Sequence, residues 1–134
     1  MPILLDTGPL VALLNRRDAF HTWSVERAGS LAPPFLTCEA VLAEAHFLLR
    51  GTKQGRRRLI EVFDSGKIEL TSLIADNLGR VGELMNAYAN VPMDFADACL
   101  VCMSERTRGA VFTLDSDFRI YRKNRGEAIE LIIP

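Results

Sequence analysis

The chain has no long hydrophobic run: charge, glycine or proline interrupts every apolar stretch before it reaches the roughly 20 residues that a membrane-spanning helix needs. Met1-Pro2 leads straight into a short apolar segment with no basic flank, which is not the layout of a secretory signal, so the cytoplasm is the expected compartment. Cysteine is scarce and odd in number. Cys38, Cys99 and Cys102 cannot all pair in disulfides, and apart from Cys99-x-x-Cys102 no Cys or His pair stands at zinc-finger spacing. Cys99-x-x-Cys102 lies within "FADACLVCM", where both thiols fall near one face of an apolar helix and serve as small hydrophobes. His21 and His46 are isolated from each other and from any serine or cysteine signature, so nothing supports a nucleophilic triad. Repeats and low-complexity linkers are absent too. The net charge of −1 gives the chain no overall attraction to nucleic acid. Its cations are nevertheless clustered, as Arg16-Arg17, as Arg56-Arg57-Arg58, and as Arg119, Arg122, Lys123 and Arg125.

What is present suits one domain over residues 1–134, with 49% hydrophobic and 25% charged residues. Ile3 to Leu5 reads as a short buried strand, and Pro9 to Asn15 as a helix whose first turn tolerates proline because no backbone donor is needed there. A second helix is expected over Phe20 to Leu31, ended by Pro33-Pro34 before a strand at Phe35-Leu36. Thr37 is expected to cap a helix over Cys38 to Leu49, followed by helix Gln54 to Phe63 and strand Lys67 to Ser72. Helices at Asp76 to Asn90 and Phe95 to Arg106 precede strands at Ala110 to Thr113 and Glu127 to Ile133. Such alternation predicts a three-layer α/β/α fold around a parallel sheet, with ligands beyond the carboxyl ends of the strands.

The acids recur at those ends. Asp6 closes the first strand, and Asp115 and Asp117 follow the strand in "AVFTL"; Glu44 lies on the Thr37 helix and Asp97 in the first turn of the Phe95 helix. Each has a plain explanation alone, as a turn, cap or helix-dipole residue, and Asp94 is read as the N-cap of its helix. Several carboxylates meeting at one sheet edge repel, and that arrangement makes sense with a hard divalent cation such as Mg²⁺ or Mn²⁺ to neutralise them.

Taken in order, "LLDTGPLVALL", "LTCEAVLAEAHFLL", "MDFADACLVCMSE" and "VFTLDSDF" resemble the four acidic motifs of the PIN domain family, in the spacing of its small bacterial VapC-like members. The resemblance covers nearly the whole chain. It implies a central parallel sheet of about five strands, a Mg²⁺ or Mn²⁺ site, and endoribonuclease activity. It places the four catalytic and metal-binding acids on Asp6, Glu44, Asp97 and Asp115, with Asp117 as an accessory metal ligand. Glu39 shares the helix of Glu44, but the family's pattern of threonine, a helix turn, then glutamate before an apolar run fits Glu44 better. Gly8 and Asp94 depart mildly, standing where the family often has serine. By the same resemblance, a small antitoxin protein and a second copy of the chain are expected partners.

An acidic site cannot itself attract RNA, so phosphate contacts are expected from Arg119, Arg122 and Lys123, directly after the "DSDF" turn, with Arg16 and Arg17 as further candidates. Thr113 is a candidate for ordering Asp115 through a hydrogen bond. Three rivals fare worse. A phospho-receiver module needs a lysine after its last strand, which "AIELIIP" does not supply; a haloacid-dehalogenase-like phosphatase needs Asp-x-Asp, and "LDTGP" lacks the second aspartate. A catalytically silent PIN fold would have no need of all four acids.

Overall fold

Leu4 and Leu5 are wholly buried, and the strand they dominate, β1 (Ile3–Leu5), has a parallel neighbour on each side. In the computed structural model, which describes residues 1–134, β1 lies between β2 (Phe35–Thr37) and β4 (Ala110–Phe112). Outside these, β3 (Ile68–Leu70) pairs with β2 and β7 (Leu131–Ile132) with β4, giving a five-stranded parallel sheet of order β3-β2-β1-β4-β7. Six helices flank it: α1 (Thr7–Leu14), α2 (His21–Gly29), α3 (Glu39–Leu48), α4 (Gly55–Asp64), α5 (Leu78–Ala87) and α6 (Phe95–Thr107). The central strands are continuous apolar runs, as strands covered by helices must be. The expected α/β architecture and its parallel sheet are therefore present.

Strand order reverses at β1, with β2 and β3 to one side and β4 and β7 to the other. That reversal opens a crevice between the carboxyl ends of β1 and β4, the place where open α/β sheets bind ligands. Helix α6 backs the sheet and is buried without a break from Ala96 to Ser104, which is why its sequence shows no amphipathic rhythm. It ends at Arg108, in the left-handed region at φ 59°, and Gly109 follows. A Cβ at Gly109 would stand 2.6 Å from the Pro2 carbonyl oxygen, so only glycine lets β4 enter the sheet beside the start of β1.

The structure corrects several boundaries. Helix α1 begins at Thr7 rather than Pro9, because the Asp6 carboxylate accepts the Thr7 N–H at 2.8 Å and caps the helix itself. Thr37 is no cap: it is the last residue of β2, its hydroxyl donates to the Leu5 carbonyl oxygen at 2.7 Å, and Cys38 begins α3 without a side-chain cap. The helix expected over Asp76 to Asn90 splits into a 3₁₀ turn, Ala75–Asn77, and α5. The strand expected over Glu127 to Ile133 is two strands. β5 (Arg122–Lys123) and β6 (Glu127–Ala128) form an antiparallel hairpin of their own, and only Leu131–Ile132 joins the main sheet. The hairpin turns through the three residues Asn124, Arg125 and Gly126; the first two are at positive φ, and the Gly126 N–H closes the turn on the Lys123 carbonyl oxygen at 3.1 Å.

The Thr37 hydroxyl is fully buried and holds β2 to β1 by a side-chain bond. Thr37→Val should lower the unfolding free energy by about 1–2 kcal/mol, with Thr37→Ser restoring most of it, measured from urea midpoints. Equal midpoints for Thr37→Val and the wild type would show that this bond contributes nothing.

Candidate functional site

Asp6 extends β1 by one residue, its N–H donating to the Phe112 carbonyl oxygen at 3.0 Å, and this sets its carboxylate in the crevice. The side chain is 6% exposed. Oδ1 accepts the Thr7 N–H at 2.8 Å and Oδ2 accepts the Thr113 hydroxyl at 2.6 Å. The same Thr113 oxygen accepts the Asp115 N–H at 2.9 Å, so one buried hydroxyl ties the ends of β1 and β4 together and fixes two acids at once. Burial pushes the Asp6 carboxyl up to about 6, against the pull of its two hydrogen bonds; the negative charges of Glu44 and Asp115 push the same way as burial.

Asp97 lies in the first turn of α6 and is 7% exposed. It forms a reciprocal capping box with Asp94, whose Oδ1 accepts the Asp97 N–H at 2.8 Å while Asp97 Oδ2 accepts the Asp94 N–H at 3.3 Å. Asp94 is thus the N-cap that the sequence suggests. The Tyr121 hydroxyl, on a ring wholly inside the core, also donates to Asp97 Oδ2, at 3.2 Å. Burial lifts the Asp97 carboxyl to about 7, and the charges of Asp94, Asp6 and Asp115 add to the effect. Burial and the neighbouring Asp97 charge also hold the Tyr121 phenol well above its ordinary range, so it remains a donor.

Four of the candidate acids therefore feel one another: Glu44 and Asp115 act on Asp6, and Asp6 and Asp115 act on Asp97. Glu39 is exposed in the first turn of α3, whereas Glu44 is half-buried on that helix and its charge acts on Asp6. Asp117 stands at the edge, in the 3₁₀ turn Ser116–Arg119, donating its N–H to Asp115 Oδ1 at 2.9 Å. No cation compensates this group, for the ion pairs of the chain join Arg57 to Glu61, Arg80 to Glu83 and Glu105, and Arg125 to Glu83.

An all-carboxylate donor set suits a hard divalent cation, and Asp97 Oδ1 and Asp115 Oδ2 accept no hydrogen bond from the protein. No three His, Cys, Asp or Glu side chains stand close enough together to form a ready-made cage. In donor chemistry and uncompensated charge the acids fit such an ion, without being drawn in around one.

The basic candidates divide. Arg119 is exposed and its guanidinium makes no hydrogen bond, but Arg122 Nη1 donates to the carbonyl oxygens of Arg119, Ile120 and Tyr121 and so folds its own turn. Lys123 is half-buried in β5. The sequence reading missed Tyr121. Its signal was the spacing of Phe118 and Tyr121, two aromatics three residues apart after the acidic turn, both buried and 5.2 Å apart between ring centroids.

A sequence model of the PIN domain matches residues 3–124. No curated protein sequence matches the chain. Among solved structures, the Mycobacterium tuberculosis toxin VapC20, described as cleaving the sarcin-ricin loop, superposes with a TM-score of 0.75 at 23% identity, covering 86% of this chain and 91% of its own. VapBC2 from Rickettsia felis, solved bound to a DNA fragment from its promoter, gives 0.66 at 17% identity over 100% of this chain and 99% of its own.

Asp6 and Asp97 both ionise well above the ordinary 3.8, so between about 4 and 7 the folded chain holds more protons than the unfolded one, and their contribution to stability is lost as pH rises. In chelator, the stability of Asp6→Asn relative to the wild type should therefore grow as pH rises from about 4 to about 7. Urea midpoints along this series check it; a difference independent of pH would mean that Asp6 titrates normally.

Proposed function

This chain belongs to the PIN domain family, and from that membership we propose that it is a metal-dependent endoribonuclease, the toxin of a VapBC-type toxin–antitoxin pair. The observation that carries this reading is the pair of buried carboxylates, Asp6 and Asp97, left without a cation at the crevice where the strand order reverses. The catalytic domain spans residues 1–134, works in the cytoplasm on RNA, and takes a small antitoxin and a second copy of itself as partners. VapC20, the RNA-cleaving toxin of similar fold, supports the substrate class, and the VapBC2 complex supports the antitoxin. A mainly apolar cavity of about 310 Å³, lined by Cys38, Ile74, Leu78, Phe95 and Cys99 with Glu39, Thr71 and Ser72 as its polar groups, offers an antitoxin segment a foothold.

Asp6, Glu44, Asp97 and Asp115 would hold Mg²⁺ or Mn²⁺, with Asp117 at the margin. A bound divalent cation supplies Lewis-acid activation of water and neutralises charge on the phosphoryl group. The rest falls to the protein. Thr113 holds Asp6 Oδ2 and the Asp115 backbone in register, and Tyr121 holds Asp97 Oδ2, so the acids come to the reaction already oriented. Glu44, half-buried on α3 and close enough to act on Asp6, orients the attacking water and accepts its proton. Arg119, exposed and uncommitted after the acidic turn, contacts the RNA backbone, with Lys123 behind it. Arg122 contributes by shaping the turn that presents Arg119.

Pure protein incubated with total RNA, with and without Mn²⁺, followed by sequencing of new ends, tests the activity. Asp6→Asn should abolish metal-dependent cleavage with the fold intact; full residual activity would remove Asp6 from the site. Thr113→Val should raise the Mn²⁺ concentration needed for half-maximal cleavage about 10- to 100-fold, with Thr113→Ser restoring it. An unchanged Mn²⁺ dependence in Thr113→Val would leave Thr113 as a purely structural residue.

A further inference from the structure

A second cavity, polar and of about 360 Å³, opens at the far end of α1 from Asp6. Its walls include Arg16, Arg17, Thr52, Lys53 and Arg58, with Asn15 at the helix C-cap and no carboxylate. Residues distant in sequence meet here, the Arg16-Arg17 pair from one loop and Lys53 and Arg58 from the α3–α4 connection and α4.

All four cations are free of protein partners. The three-arginine run shows the contrast: Arg56 Nε donates to the His46 carbonyl oxygen at 2.8 Å, Arg57 pairs with Gln54 and Glu61, and Arg58 alone lines the cavity with no hydrogen bond or ion pair. Asp18, the nearest acid in sequence to Arg16 and Arg17, spends Oδ1 on the Phe20 N–H at 2.8 Å. The Asn15 side chain accepts the Arg17 N–H at 3.1 Å and sets the course of that loop. Four like charges around one concavity repel, and a multiply charged anion relieves them.

Resting on the ribonuclease reading above, we infer that this cavity is a second phosphate-binding site, which holds the backbone of single-stranded RNA about one length of α1, roughly 12 Å, from the acidic crevice. The contacts are to phosphate and are independent of sequence. They anchor the polyanion where the protein is positive, so that the strand reaches the carboxylates already held on the protein.

The test measures binding of a fluorescein-labelled single-stranded RNA to the full chain in chelator, by anisotropy over a range of KCl concentrations, for the wild type, Arg16→Gln/Arg58→Gln, and Arg57→Gln as a control on the other side of the same run. The double variant should bind roughly tenfold more weakly. Its salt slope should fall by about 0.7 for each lost contact. Arg57→Gln should match the wild type. Both variants change exposed side chains, and melting curves check that they fold. Unchanged affinity and slope in the double variant overturn the proposal. So does a loss confined to competition by inorganic phosphate, or to competition by polyglutamate, which would assign the cavity to a small anion or to an acidic protein. Cleavage of the same RNA with Mn²⁺ separates this site from the activity: a wild type that binds through the cavity but does not cleave removes the ribonuclease reading and keeps the site. One that cleaves, beside a double variant with unchanged binding, removes the site alone. A wild type that binds no RNA removes both.

Discussion

The 2.6 Å hydrogen bond from the Thr113 hydroxyl to Asp6 Oδ2 crosses from the end of β4 to the end of β1, the two strands between which the sheet changes direction. It solves a physical problem. A carboxylate that is 6% exposed has lost most of its water, and two hydrogen bonds replace only part of what it lost, as the upward shift of its ionisation shows. The bond holds the charge where solvation would not, and through the Asp115 N–H it sets the course of the chain beyond β4. The apolar core around Leu4, Leu5, Leu100 and Phe112 carries the stability that this corner gives up.

Helix starts offset the rest. Asp6 is the N-cap of α1 and Asp97 completes the capping box of α6, so both buried acids sit where backbone N–H groups and the helix dipole favour negative charge. Capping and metal binding are usually weighed as rival explanations for such residues. Here they are compatible, because each carboxylate has two oxygens. Asp97 gives Oδ2 to Asp94 and Tyr121 and keeps Oδ1 clear of protein donors; Asp115 gives Oδ1 to Asp117 and keeps Oδ2. In these two acids one oxygen sets the orientation and the other remains for chemistry, whereas Asp6 accepts on both oxygens, from the Thr7 N–H and the Thr113 hydroxyl, and has only its remaining lone pairs to offer.

What the sequence reveals here depends on whether a feature is local. The first four strands of the main sheet, the parallel α/β alternation and the positions of Asp6, Asp97 and Asp115 at element junctions follow from runs of apolar residues and the punctuation between them, and appear in the structure. Thr37 misled because a threonine before a helix has two uses for its hydroxyl. The Leu5 carbonyl oxygen across the sheet, invisible in a local window, took it. The hairpin of Arg122–Lys123 and Glu127–Ala128 was missed because its turn uses Asn124 and Arg125 at positive φ, and arginine carries no signal for that backbone. The bond from Tyr121 to Asp97 and the meeting of Arg16 with Arg58 are products of tertiary folding; the spacing of Phe118 and Tyr121 marks two buried rings but not the acid that one of them reaches.

The same distinction explains how a chain of net charge −1 can be built to handle a polyanion. Formal charge averages over groups with different occupations. Arg80, Arg125 and Arg57 are paired with Glu105, Glu83 and Glu61 and project little field, while Arg122, still charged, is turned onto main-chain carbonyls. The acids at the crevice are negative charges without an ion-pair partner, and Arg16, Arg17, Lys53 and Arg58 are unpaired positive ones gathered at the other end of α1. Placing both sets together would let them neutralise each other as salt bridges, leaving neither a metal-binding edge nor an anion-binding cavity. Separation by a rigid helix keeps both charged, and the cost of that unrelieved repulsion is what a cation at one end and a phosphate backbone at the other would remove.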